Sequence, residues 1–348
     1  MPTVDSDAHV LECMDTWDYL REEEARFSPM IVERKTGRAA RNTNGLAKNE
    51  YWVVEGRLHD KDQNVGKDIS DDSREMRDVD ARIRHMDELE INVQVLYPTL
   101  MLRPIASHGI LDFALCRSYN RWLADIWKKG HGRLRWVATP PLLQMDKVRD
   151  EMLFAKDNGA CGIFMRGLEC ELPLSDPYFH PLYEIATELD MAICVHLGNG
   201  SFTVHDFYAH DTTFTKFKLP TVGCFHSLIM SGTPSLFPKV RWGIVEVSAN
   251  WLPYVINDLR LRFRRRGKRL PDNLLAANQI YIACEVTDDL QHLLPFSGTD
   301  NLVIGTDYGH SDSSTEIEAL RLLRQNQFIG PAVVDKILWD NPRALYSL

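Results

Sequence analysis

The chain offers no Cys-x-x-Cys pair; its seven cysteines, Cys13, Cys116, Cys161, Cys170, Cys194, Cys224 and Cys284, are scattered and odd in number. That pattern argues against a disulfide framework and against a thiolate zinc site, and reduced thiols in a cytoplasmic protein are the expectation. No uncharged apolar run approaches the length of a membrane span, and Asp5 and Asp7 interrupt the start where a secretory leader would be apolar. No Gly-x-Gly-x-x-Gly follows the first strand and the GTDYG turn lacks a Walker lysine, so neither a dinucleotide nor a phosphate loop is indicated. Positive charge is short as well. With 40 Lys and Arg against 49 Asp and Glu the net charge is -9, whereas nucleic-acid affinity draws mainly on basic contacts to phosphates. The exception, RLRFRRRGKR at 260–269, gathers seven basic residues in ten positions. It reads as the solvated end of a helix balanced by Asp258 and Asp272. Neither nucleic acid nor a membrane is expected as a partner.

What is present starts at residue 5 with DSDAHVLE. Successive side chains of an extended strand point to opposite faces, so Asp5, Asp7 and His9 share one face. Such a triplet is either a solvated strand end or a set of oxygen and nitrogen ligands, and the rest of the chain has to decide.

With 348 residues and 44% hydrophobic content, the chain can bury a large core. The region from about Trp17 to Ser73 is polar and irregular, with NTNGLAKNE followed by YWVVEGR, which reads as a short hairpin strand. It holds too few apolar residues for its own core and reads as an insertion. From Asp78 onward, helical periodicity alternates with short apolar runs: NVQVLYPT, LRWVATPPL, ACGIFMRG, MAICVHLGNG, RWGIVEVSAN, QIYIACEV and NLVIGTDYGH. Counting VDSDAHV, eight strands separated by helices predict an α/β fold, a (β/α)8 TIM barrel forming one domain over 1–348, with the insertion at about 17–73 after strand 1.

A barrel gathers catalytic groups at the C-terminal ends of its strands. Those ends carry Asp7 and His9 (strand 1), Tyr97 (2), Arg166 (4), His196 (5), Glu246 (6), Glu285 (7), and Asp307 with His310 (8). Each alone is an ordinary rim residue; together they make a cup of carboxylates and imidazoles, the chemistry of a metal site.

In order and spacing, DSDAHVLE, LYPT, CVHLG, FPKVRWGIVEVSANWLPY, VIGTDYGH and NPRALY resemble the amidohydrolase superfamily, in its amidohydrolase-2 branch typified by aminocarboxymuconate semialdehyde decarboxylase. The resemblance implies that Asp7, His9, His196 and Asp307 hold one divalent metal ion, zinc or manganese, and that Asp307 doubles as a base beside the metal-bound water. The chain departs from that branch at strand 6, where Glu246 in VEVSANWLPY replaces a histidine. Glu246 is then an acid/base, a further ligand, or a partner that orients His196.

Further candidates are weaker. Arg166 is a clamp for a substrate carboxylate or one half of a rim salt bridge. His310 contacts substrate or supports a turn, and His226 is the one histidine among His205, His210 and His226 taken as a substrate contact. Trp251, Met30, Met101 and Met165 read as packing. The expected activity is hydrolysis of a small carboxylated aromatic or cyclic amide, ester, lactone or C–C bond by metal-activated water, with Asp307 and Glu246 moving protons. The alternatives are metal-dependent non-oxidative decarboxylation of an aromatic or muconate-like acid, and a non-catalytic barrel that only binds. A homodimer is expected.

Overall fold

The computed structural model describes residues 2–33, 50–61, 65, 69–210 and 213–348; segment 42–49 of the NTNGLAKNE stretch lies outside them. Eight strands pair in parallel in the order of the chain: β1 (Val4–His9), β2 (Val93–Tyr97), β3 (Leu134–Ala138), β4 (Ala160–Arg166), β5 (Ala192–His196), β6 (Trp242–Val245), β7 (Ile280–Cys284) and β8 (Leu302–Ile304). Helices between them cover the outside: α1 (Val79–Glu88), α2 (Gly109–Lys129), α3 (Met145–Asp157), α4 (His180–Glu188), α5 (Leu219–Ser231), α6 (Leu252–Arg265), α7 (Leu290–Ser297) and α8 (Ala319–Arg324). Strands buried on both faces lack polar alternation, so LVI, WGIV and AICVH are continuous apolar runs. All eight runs anticipated from the sequence are barrel strands.

The barrel closes where β8 returns to β1. A parallel bridge joins Ala8 to Tyr308, the Asp307 N–H donates to the Asp7 carbonyl at 2.9 Å, and the His9 N–H donates to the Tyr308 carbonyl at 2.8 Å. Gly305 permits this approach, since a Cβ there would sit 2.3 Å from the Asp7 Cβ and 2.7 Å from its backbone nitrogen. Asp5 stitches the seam from within: its carboxylate accepts from the Thr306 N–H (2.9 Å), the Thr306 hydroxyl (2.7 Å) and the Gln94 amide (2.9 Å). From α1, fully buried Arg82 donates to Gln94 at 2.7 Å and to the His9 carbonyl at 3.1 Å, and stacks on the Tyr308 ring.

Between β1 and α1 the chain builds an antiparallel sheet from Met30–Glu33, Glu50–Val54 and Arg57–Asp60. The hairpin turn at Glu55 and Gly56 has φ of 50° and 73°, as a two-residue turn with left-handed central positions requires. Trp52 and Val54 join Trp17 in the barrel's own core cluster. Met30 differs from the packing expectation and is exposed on the edge strand, whereas Met101 and Met165 are buried. The basic run ends α6, where Arg262 pairs with Asp258 and Arg269 with Asp272, cations at a helix C-terminus being favoured by the helix dipole. All seven cysteines are free thiols, and among the described residues no helix is long and apolar enough to cross a membrane.

Gly305→Ala is expected to lower unfolding free energy by about 3 kcal/mol, the upper part of the usual range for overpacking, because the Cβ would meet the Cβ, N and Cα of Asp7 on a paired strand that cannot swing aside. Urea denaturation of the variant beside wild type checks this.

Candidate active site

Six ionisable side chains converge inside the C-terminal mouth. Asp7 and His9 come from β1, and His196 ends β5. Glu246 follows β6, while Asp307 and His310 follow β8. None is more than 4% exposed. The His9 Nε2 lies 3.5 Å from Asp7 Oδ1, 3.5 Å from Asp307 Oδ1 and 3.6 Å from Glu246 Oε2. The His196 Nε2 lies 3.1 Å from Asp7 Oδ1 and 3.2 Å from Glu246 Oε2.

The histidine tautomers follow from the opposite ring nitrogens. His9 Nδ1 is 3.0 Å from the Pro98 carbonyl and His196 Nδ1 is 3.0 Å from the Leu197 carbonyl. A carbonyl only accepts, so each Nδ1 carries the proton and each neutral ring aims an Nε2 lone pair at the carboxylates. Thr99 performs the same service for His310: its hydroxyl donates to the Val10 carbonyl at 2.8 Å and faces His310 Nε2 at 3.0 Å. The hydroxyl proton being spent, Nε2 donates, and His310 Nδ1 is left 2.7 Å from Asp307 Oδ1 without hydrogen-bond alignment.

Lone pairs facing carboxylates across a buried space are unstable without something positive between them. His9 Nε2, both Glu246 oxygens and Asp307 Oδ1 are buried with no hydrogen-bond partner. Burial, then Asp307, Asp312 and Asp7, pushes the Glu246 carboxyl well above its ordinary range. Burial likewise pushes Asp307 up to about 7 against the opposing pull of His310. Burial and the other two imidazoles drive His9 well below its ordinary value. A divalent ion held about 2.1 Å from tetrahedrally placed nitrogen and oxygen donors sets those donors about 3.4 Å apart. The separations here run from 3.1 to 3.6 Å. The donor set, hard oxygens with imidazoles, therefore fits a divalent metal ion.

Backbone strain and a polar scaffold hold the cluster. Glu246 and Asp307 both adopt left-handed φ, 60° and 53°, a conformation that costs non-glycine residues about 1–3 kcal/mol each at such sites. Asp288 pins the loops after β6 and β7 by accepting from the Ala249 and Glu285 N–H groups, each at 2.8 Å. Glu12 accepts from the Leu100 N–H at 2.8 Å and from the Thr99 N–H, which fixes the turn that presents Thr99. Below, the Tyr346 hydroxyl donates to the Ser6 carbonyl and receives the Tyr97 hydroxyl at 2.8 Å.

The other sequence candidates lie elsewhere or are occupied. Arg166 is engaged in full: it forks onto Glu169, with Nε donating at 2.9 Å, and its Nη1 donates to the Met101 and Arg103 carbonyls at 3.1 and 2.7 Å. His226, on α5, pairs with Asp258 of α6 at 2.9 Å on the outer helical layer. Trp251 donates to the Ser248 carbonyl and packs on Phe225. Glu285 faces Lys218 at 3.6 Å on the rim. A cavity of about 40 Å³ opens over Glu246 and His310, walled by Thr99, Arg103 and Phe217. A larger cavity of about 180 Å³ lies beside β4 and is lined by Arg166, Glu169 and Phe164, the last of which also touches the His196 ring. The Arg166–Glu169 fork already satisfies its strongest charges. Thr99 and Arg103 were missed from the sequence, although LYPT was itself a visible signal.

The sequence profile described as amidohydrolase, of the amidohydrolase-2 type, matches residues 4–348. The chain belongs to the amidohydrolase-2 family. Its fold recurs in an amidohydrolase from Mycobacterium avium subsp. paratuberculosis (18% identity, TM-score 0.79, covering 99% of each chain). It recurs in 5-carboxyvanillate decarboxylase from Sphingomonas paucimobilis (14% identity, TM-score 0.68, 100% of this chain and 99% of that one). A dihydroxybenzoic acid decarboxylase from Polaromonas sp., solved with manganese and 2-nitroresorcinol, is similar as well (18% identity, TM-score 0.67, 100% and 97%). No curated protein sequence matches. This amidohydrolase is thus an enzyme of the superfamily, a hydrolase or a decarboxylase, which sets aside the non-catalytic barrel.

Crowded carboxylates predict a stability cost in the metal-free amidohydrolase. After chelation, Glu246→Gln is expected to be more stable than wild type by about 1 kcal/mol, the size of gain typical when a strained active-site group is relieved. Equilibrium denaturation in a chelating buffer measures it.

Proposed function

We propose that the amidohydrolase hydrolyses a small carboxylated aromatic or cyclic amide, ester or lactone, using one zinc or manganese ion held by Asp7, His9, His196 and Asp307. When bound, such an ion supplies Lewis acidity and makes water acidic enough to ionise near neutral pH. The observation that carries the reading is the state of Glu246: both oxygens lack partners, and Oε2 lies 3.2 Å from His196 Nε2.

The two catalytic carboxylates differ in freedom. Asp307 Oδ2 accepts from the Thr315 hydroxyl at 2.6 Å while Oδ1 faces His9 and His310. Glu246 has no such tether among the described residues, so it is the carboxylate that takes the proton from the attacking water as oxygen joins the carbonyl carbon. Glu246 then passes that proton to the departing amine or alkoxide, while His310, with Nε2 anchored on Thr99 and Nδ1 beside Asp307, fixes the wall of the site. Water attack puts solvent oxygen into the product acid. Decarboxylation, the second reading, draws support from the solved relatives that carry that activity, and would place a proton on a ring carbon and release carbon dioxide.

Two measurements test this. His196→Ala is expected to lose nearly all bound zinc or manganese by elemental analysis, whereas Glu246→Gln retains the ion and loses roughly 100- to 10,000-fold in kcat. Turnover in 18O-labelled water should place the label in the product; carbon dioxide without label would sink hydrolysis in favour of decarboxylation.

We also infer a cytoplasmic homodimer formed through the mouth-covering segments. Leu58 of the insertion sheet and Phe207 after β5 are 65% and 80% exposed, more apolar surface than a solvated rim requires. Light scattering on the Leu58→Glu, Phe207→Glu double variant is expected to give a monomer where wild type gives a dimer.

A further inference from the structure

The cavity over the cluster contains one arginine whose charge is not answered. Arg103 lines the same space as Glu246 and His310. Its Nη1 reaches the Asp60 backbone carbonyl at a long 3.3 Å, and its Nε is buried with no partner. Among the described residues, no carboxylate oxygen lies within 4.0 Å of its guanidinium. The contrast with Arg166, whose donors are all engaged on the far side of the same loop, is direct. Leaving a buried donor of a charged group unpaired is costly, and nothing about the loop's conformation demands it, because Arg166 already holds the Arg103 carbonyl at 2.7 Å.

Two further basic side chains lie near Arg103. His59, from the insertion sheet, is buried with Nε2 unpartnered. Burial, then Arg103, His205 and Arg57, drives its imidazole down to about 3. Burial followed by Arg103 also pulls the Lys216 amine below its ordinary value. The Asp60 and Glu12 carboxylates act on Arg103 only from beyond hydrogen-bonding reach. Asp60 offers its backbone carbonyl, and Asp312 accepts from the Ser314 N–H at 2.8 Å. Basic side chains of the insertion sheet (His59), the loop after β2 (Arg103) and the segment after β5 (Lys216) thus lie close enough to interact, and Arg103 is the one of them that lines the cavity.

We propose that Arg103 is the specificity-determining residue of this enzyme, receiving the carboxylate of a small organic-acid substrate whose reacting group lies over Glu246 and His310. A planar guanidinium fork matches a planar carboxylate with two parallel hydrogen bonds, which an ammonium or an imidazole does not reproduce. The inference rests on the hydrolase reading only for what happens at the reacting group; recognition of the anion stands apart from it.

The test is calorimetric titration of benzoate, benzamide and inorganic phosphate into the zinc- or manganese-loaded enzyme, with Arg103→Gln and Arg103→Lys titrated alike. Benzoate should bind wild type, with benzamide and phosphate far weaker. Arg103→Gln should weaken benzoate about 30-fold or more, the usual loss when one member of a buried charge pair is removed, while its metal content stays at the wild-type level. Arg103→Lys should fall between them. Benzoate binding equally to wild type and Arg103→Gln, or not binding loaded wild type, overturns the proposal. Arg103-dependent benzoate binding in an enzyme that releases carbon dioxide without solvent oxygen keeps the anion site and removes the hydrolase reading.

Discussion

Everything in this molecule depends on the seam where β8 meets β1. Two segments of the buried cluster, Asp7 with His9 and Asp307 with His310, stand on its two sides, so their separation is the separation of two hydrogen-bonded strands. Closing a parallel barrel there requires backbone contact at a distance only glycine tolerates, and Gly305 supplies it against Asp7. Asp5 then takes two hydrogen bonds across the junction from Thr306 and a third from Gln94 of β2, while Arg82 braces it from α1. The opening stretch DSDAHVLE is therefore one device with four parts: Asp5 joins the strands, Asp7 and His9 face the cluster, and Glu12 holds the turn carrying Thr99.

The cluster illustrates how a fold carries an unfavourable arrangement. Three carboxylates and three imidazoles sit buried together, and two of the carboxylates occupy strained backbone conformations. A buried charge left unpaired is destabilising, yet the same arrangement becomes favourable when a cation takes the lone pairs. Core burial elsewhere offsets the difference: the strands contribute continuous apolar runs, and Trp136, Trp242 and Tyr183 are fully buried.

The barrel was legible because parallel strands leave an unambiguous trace, an apolar run ending in a polar residue, repeated eight times. Asp7, His9, His196, Glu246 and Asp307 were legible for the same reason, since strand ends are where such a fold gathers chemistry. Arginines were not. Arg103 and Arg166 each follow a strand, and only tertiary contacts reveal that Glu169 consumes one and leaves the other available. His226, the one histidine after strand 5 offered as a substrate contact, instead pairs with Asp258 of the neighbouring helix. The insertion was recognisable by composition, whereas its delivery of Asp60 and Lys61 to the cavity depends on the three-stranded sheet, whose strands are set by pairing across distance.

The insertion sheet has a consequence for inheritance. It touches the barrel through Trp17, Trp52 and Val54, and meets the segment after β5 through the exposed pair Arg57 and Asp206, an attachment of small energy. Floor and roof therefore belong to different stretches of chain under different constraints. The strand ends cannot drift without dismantling the seam, but Asp60, Lys61 and Val65, which share the cavity wall with Arg103 of the loop after β2, ride on a segment that can be lengthened, exchanged or redrawn. A lineage built this way can acquire new substrates by revising its roof while the reactive centre beneath passes unchanged from one descendant to the next.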